Sequence, residues 1–270
     1  MCDHHAAEGS APQTELSALD RRGLLRGAAA GALALTVGAC ETTLNPETGR
    51  EQFIIVNDAQ IEQAALQAWG QQIQREPTWN NRAAQTRLER VGQRVVNAAG
   101  RGGQQWEFRL FDSAEKNAFV LPANKVGFYR GLFEICDNDD YIATVLGHET
   151  GHVTGRHAAE RYSREVATQT VVQVAGAATN SDIAAAALGL GAQVGISLPF
   201  SREQEAEADT LGIRYMRAAG YDVRQAIPFW QRMQQGSQSR PPEFLSTHPD
   251  PDNRIQRIRN YINEQGWGPV

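Results

Sequence analysis

The stretch TVLGHETGHVTGRHAAE, residues 144–160, sets three histidines within ten residues, His148, His152 and His157, with Glu149 between the first two. On a helix, residues four apart share a face, so His148 and His152 aim their imidazoles at one point. Glu149, one position on, projects beside that point and reaches a metal-bound water rather than the metal. This is the HExxH arrangement of two neutral nitrogen ligands and a carboxylate general base. A helix of surface histidines would not carry Val145, Leu146 and Val153 alongside them. The stretch therefore reads as a buried helix at the centre of a zinc site.

A catalytic zinc needs a third protein ligand and one open position. His157 is tempting, because the longer pattern HExxHxxGxxH requires a glycine at 155, and Gly155 is present. That pattern puts its histidine at 158, where this chain has Ala158. A slip of one residue on a helix turns the side chain by about 100°, so His157 is not expected as a ligand. The better candidate lies in SREQEAEADTLG, residues 201–212. Glu205 and Asp209 are four apart and share a helix face, and the small Ala206 and Ala208 allow close approach. Glu205 is expected to complete a His-His-Glu site. Asp209 is expected to accept the N–H of His148 or His152 and fix its tautomer. Glu203 and Glu207 are expected to be solvated first-turn acids favoured by the helix dipole.

Around these segments the chain reads as helix-rich. Apolar residues recur at helical spacing over 58–75 and 81–99, Trp106, Phe108 and Leu110 alternate as in a strand, and NAFVLPANKVGFYRG (117–131) reads as strand, tight turn, strand. Asp137 or Asn138 can cap the helix holding the HExxH stretch, and Ser201 with Gln204 forms a capping box opening a helix over 202–219. Further helices are expected near 223–235 and 251–264. Residues 160–198 are Ala-, Gly- and Val-rich and expected to be helical, with glycines and Asn180-Ser181-Asp182 interrupting any membrane span.

The formal net charge of −5 gives no footprint for nucleic acid. The N-terminus has its own character. Arg21, Arg22 and Arg26 precede the apolar run GAAAGALALTVGAC (27–40), a positive region followed by a short apolar one, as in a secretory signal. Val37-Gly38-Ala39-Cys40 resembles a lipobox, with Cys40 as the lipidated mature N-terminus, and the paired arginines resemble a twin-arginine export signal. Residues 1–39 are thus expected to be a lipoprotein signal peptide and 40–56 a tether. The mature chain would keep only Cys136 as an unmodified cysteine, so no internal disulfide is expected.

HExxH followed by Glu205-Ala206-Glu207-Ala208-Asp209 resembles the gluzincin peptidases of the HtpX and CAAX-prenyl-endopeptidase group. NAFVLP (117–122), GLFEI (131–135), AGYD (219–222) and STHPDPDNRI (246–255) look like the same family's pattern, and NPETGREQF (45–53) is similar to its short lipoprotein members. The resemblance implies an α+β fold over residues 57–265: a helix-rich zincin domain with a small, mostly antiparallel sheet whose edge strand lines the cleft. It implies one zinc ion held by His148, His152 and Glu205, with Glu149 as general base. Substrate would add to the edge strand at Asn117 and Ala118 as a further strand. His248, the lone histidine of the polar C-terminal loop, is implied in the site, as oxyanion donor or as a ligand that blocks the open zinc position; Arg254 follows six residues later. Unfolded or misassembled protein chains are the expected substrates, and the expected setting is the periplasm-facing bacterial envelope, reached through a membrane anchor at Cys40. Two other readings remain: a chaperone-like assembly factor, which would not need Glu149, and a structural zinc protein, which would favour cysteine ligands.

Overall fold

The computed structural model describes residues 42–175, 199–235, 243–249 and 253–269. The signal segment, Cys40 and residues 176–198 of the Ala/Gly-rich run lie outside the described residues. The elements run in the order β1 (Thr42–Leu44), β2 (Glu51–Phe53), α1 (Asp58–Arg75), α2 (Arg82–Ala98), β3 (Glu107–Phe111), β4 (Ala118–Leu121), β5 (Lys125–Tyr129), α3 (Arg130–Phe133) and α4 (Asp139–Thr154). They continue with α5 (His157–Ala175), α6 (Arg202–Ala218), a 3-10 turn (Val223–Gln225), α7 (Ala226–Gln235), α8 (Glu243–Thr247) and α9 (Arg254–Glu264). No helix among the described residues is long and apolar enough to cross a membrane.

Helix α4, which carries HExxH, is the axis of the core. Asn138 caps it by accepting the Tyr141 N–H at 2.9 Å, and Asp139 and Asp140 complement the positive end of its dipole. Nearly every residue from Tyr141 to His152 is buried, so the helix is enclosed on all sides. Leu88, Val91 and Val95 of α2 pack in the same core as Ile142, Val145 and Leu146. On another side lies α6, opened by the capping box in which Ser201 accepts from Gln204 N and Gln204 from Ser201 N.

The contact between α4 and α6 is backbone against backbone. A Cβ built on Gly151 would lie 2.8 Å from the carbonyl oxygen of Ala208. One on Gly212 would lie 2.8 Å from both the Gly147 carbonyl carbon and the His148 nitrogen. No flexible side chain stands between the helices to absorb an added methyl. This approach puts Glu205 and Asp209, which face α4, within reach of His148 and His152.

The sheet is mixed, in the order β3-β5-β4. β4 and β5 form the expected antiparallel hairpin, turning through Ala123 (φ 66°) and Asn124 (φ 59°), both left-handed. β3 pairs with β5 in parallel, Phe108 opposite Val126, which alternation along a single strand does not disclose. β4 has no second strand partner among the described residues and is the edge on the side of α4. The residues expected as a tether are folded here: Thr42–Phe53 makes an antiparallel hairpin, Thr43 opposite Gln52. Its Asn45 and Gln52 side chains donate to the carbonyls of Thr154 and Gly155 at 3.2 and 2.6 Å, closing the C-terminal end of α4.

Gly212→Ala should force α4 and α6 apart and destabilise the fold by about 1–3 kcal/mol, as overpacking does. Thermal melting followed by circular dichroism should show a Tm lower by roughly 3–10 °C. An unchanged Tm would contradict the backbone contact.

Candidate active site

Four side chains from three elements converge. His148 and His152 come from α4, Glu205 from α6, and His248 from the residue that follows α8; each offers a ligand atom, and all four atoms lie within 4.8 Å of one another. The Nε2 atoms of His148 and His152 are 3.1 Å apart, each is 3.3 Å from a Glu205 oxygen, and His248 Nδ1 is 3.2 Å from His148 Nε2 and 3.1 Å from Glu205 Oε1. A tetrahedral ion with bonds of about 2.0–2.1 Å sets its ligand atoms about 3.3 Å apart. The donors therefore stand at the spacing a metal requires.

The rings are held by their surroundings. His152 stacks on Phe200 with centroids 3.8 Å apart, and His248 stacks on Phe244 at 4.3 Å. Phe200 N donates to Thr247 O and Phe244 N to Lys116 O, so α8 is fastened both to the start of α6 and to the chain entering β4. His148 Nδ1 faces Asp209 Oδ1 at 2.9 Å, the contact expected of Asp209. Arg254 of α9, fully buried, donates its Nε to Asp209 at 2.9 Å and a terminal nitrogen to Glu205. It binds the two α6 carboxylates rather than reaching into the cleft, and its guanidinium rests 4.3 Å above the Trp230 ring.

The electrostatics follow from burial and pairing. Burial alone would lower the pKa of His148, but Glu205 and Asp209 carry it up to about 9. Burial pushes His152 well below the usual histidine range, the Glu205 carboxylate opposing. Against its own burial, Glu205 is held well below the carboxylate range by His248 and His148. Glu149 is different. Burial raises its pKa, against His248, His148 and the backbone of Val120, and among the described residues neither of its oxygens has a hydrogen-bonding partner in good geometry. Its Oε1 lies 3.4 Å from His248 Nε2. A buried carboxylate left unsatisfied beside a ligand cluster is suited to an incoming water or substrate.

A cavity of about 710 Å³ borders the cluster, lined by Val120 of β4, His152, Phe200 and Arg156, and by Pro46 and Glu47 of the N-terminal hairpin. Just before β4, the Asn117 side-chain oxygen is buried with no partner among the described residues, and Ala118 is packed in the core.

Residues 82–262 match the model of Peptidase family M48. The chain belongs to that family. It is 34% identical over 186 residues to "Mitochondrial metalloendopeptidase OMA1" of Schizosaccharomyces pombe, an alignment covering 66% of this chain and 52% of that protein. It is 35% identical over 194 residues to "Beta-barrel assembly-enhancing protease" of Yersinia pestis (68% and 40% covered) and 31% identical over 188 residues to the protein of that name in Escherichia coli K12 (66% and 38%). The chain thus spans about half or less of these relatives' length. Within the M48 family the helix-rich α+β domain and the metal-competent cluster are as the sequence implied.

Two expectations change. Glu207 is not a solvated acid: it accepts from His157 Nε2 at 3.0 Å and from Arg50 Nε at 2.8 Å. His157 is outside the ligand cluster, but not because the helix carries it away. The helix breaks at Gly155, Arg156 takes φ 53°, and the chain swings the His157 ring back so that its Nδ1 meets His152 Nδ1 at 2.9 Å. Gly155 makes room for that ring, since a Cβ there would lie 2.4 Å from His157 Nε2. The glycine beside HExxH was the available signal; its meaning depended on the break.

Glu205→Ala should abolish stoichiometric metal binding, measured by elemental analysis of the purified protein. Asp209→Ala should retain metal with about 10–100-fold weaker affinity. Equal metal content in all three proteins would contradict the assignment.

Proposed function

We propose that this M48 protein is a zinc-dependent endopeptidase of the bacterial envelope that cleaves unfolded or misassembled proteins. The observation that carries the reading is the joint one: four buried donors at metal-ligand spacing with the unsatisfied Glu149 carboxylate beside them. The donor set of imidazoles and one carboxylate suits zinc, and His148, His152 and Glu205 would hold it. Bound zinc supplies Lewis acidity, bringing the pKa of its water toward about 7 and polarising the scissile carbonyl.

Glu149 takes the proton of the attacking water and delivers it to the leaving amine, a role worth about 10²–10⁴-fold. Asp209 holds the tautomer of His148, and Arg254 holds Asp209 and Glu205 in place. The open edge of β4 receives an extended substrate segment by backbone hydrogen bonds, with Asn117 and Ala118 at one end of the strand. Recognition of this kind reads backbone rather than sequence and suits chains that have lost their fold.

His248 would be a fourth ligand in a resting form. Its Nδ1 stands at ligand spacing from His148 and Glu205, which favours that role over oxyanion donation. Turnover would then require His248 to withdraw. The names of the relatives, an assembly-enhancing protease and a mitochondrial metalloendopeptidase, support protein quality control at a membrane. The lipobox-like Cys40 supports attachment through a lipid.

Glu149→Gln should keep its metal and lose at least about 100-fold in casein cleavage; near-normal cleavage would overturn the mechanism. His248→Ala should raise kcat/KM by up to about tenfold, the factor expected if the open state is about a tenth populated. A fall of about 100-fold would assign His248 as oxyanion donor instead. Cys40→Ser should move the protein from membrane to soluble or unprocessed fractions, and unchanged fractionation would remove the lipid anchor.

A further inference from the structure

His148 is backed by a carboxylate, as ligating histidines usually are. His152 has none at its Nδ1. In that place stands His157, fully buried, and behind it a chain of contacts runs to the N-terminal hairpin. His152 Nδ1 meets His157 Nδ1 at 2.9 Å, His157 Nε2 meets Glu207 Oε2 at 3.0 Å, and Glu207 Oε1 accepts from Arg50 Nε at 2.8 Å. The other two Arg50 nitrogens grip Glu160 at 3.0 and 2.7 Å. Glu160, 0% exposed, also accepts from Gln204 at 2.9 Å and Gln52 at 3.3 Å. Against its burial, Arg50 and Gln204 hold its carboxyl down to about 2.

We infer that the β1–β2 hairpin is part of the metal centre: His157, Glu207 and Arg50 form a one-way hydrogen-bond relay that fixes the tautomer of His152 and thereby sets metal affinity. The inference rests on the metal reading above. The direction of the relay follows from proton counting. His152 presents Nε2 to the ligand cluster, so Nε2 must carry a lone pair and the ring proton sits on Nδ1. That proton is donated to His157 Nδ1, which must be the bare nitrogen. His157 therefore carries its own proton on Nε2 and gives it to Glu207, an acceptor only. Arg50, a donor only, ends the chain and keeps Glu207 ionised. Each member has one consistent role, and reversing any link leaves two protons or two lone pairs facing each other. His157, Glu207 and Arg50 are positioning residues. They act through His152 and touch no reacting atom.

The test is zinc affinity of the full chain, by competition with a chromophoric chelator. His157→Ala should bind zinc about 10–100-fold more weakly than wild type. Glu207→Gln and Arg50→Met should each weaken binding by a smaller factor. The double variant His157→Ala/Glu207→Gln should be no weaker than His157→Ala alone, because links in series are lost together. Independent structural damage would instead multiply. If the variants fail to fold, the imidazole ¹⁵N spectrum of the zinc-loaded wild type decides: His157 should show a protonated Nε2 and a bare Nδ1. Variants within twofold of wild type, or a His157 protonated on Nδ1, would overturn the relay and leave the metal reading standing. A wild type that binds no zinc would remove the metal reading itself.

Discussion

The close approach of α4 and α6 is the constraint on which the site depends. Two imidazoles on α4 can offer only two donors, and the third must come from another element at a separation of about 3 Å. Ordinary helix packing leaves axes 8–10 Å apart with side chains interdigitated between them. Gly147, Gly151, Gly212 and Ala208 remove those side chains along one line, so backbone meets backbone. Glu205 and Asp209, on the same face of α6, then arrive beside the imidazoles without extending into solvent. The fold's small residues and its charged ones are two halves of one arrangement.

Gathering these charges in a dry core carries a desolvation cost unless every one is matched. The matching is nearly complete. Arg254 pairs with Glu205 and Asp209, Asp209 also with His148, and Arg50 with Glu160 and Glu207. Aromatic rings cover the remaining faces of His152 and His248. Among the described residues Glu149 is left without a well-formed partner, and it is also the member whose proposed chemistry requires a bond not yet made. Saturation around the ligands and a vacancy in bonding at Glu149 divide support from reaction.

Much of this was legible locally. The i, i+4 spacing of His148 with His152 and of Glu205 with Asp209 placed each pair on one helix face, and the capping signals at Asn138 and Ser201 fixed where those helices begin. The hairpin of β4 and β5 followed from its alternation and turn. What escaped reading depends on partners distant in sequence. Arg50 and Glu207 are 157 positions apart, and no periodicity links them. The parallel pairing of β3 with β5 is likewise nonlocal. His157 lies outside the ligand cluster as expected, but its place against His152 was not legible: helical extrapolation assumed a continuous helix, and the left-handed Arg156 ended it.

The central claim is that a metal ion sits between α4 and α6 on the atoms that converge there. Zinc-edge X-ray absorption together with anomalous diffraction from crystals of the protein tests it directly. The account predicts a single site with nitrogen and oxygen neighbours at about 2.0–2.1 Å, its anomalous peak enclosed by His148, His152 and Glu205, with His248 as the fourth neighbour. A peak elsewhere, a shell of water alone, or sulfur in the first shell would contradict it.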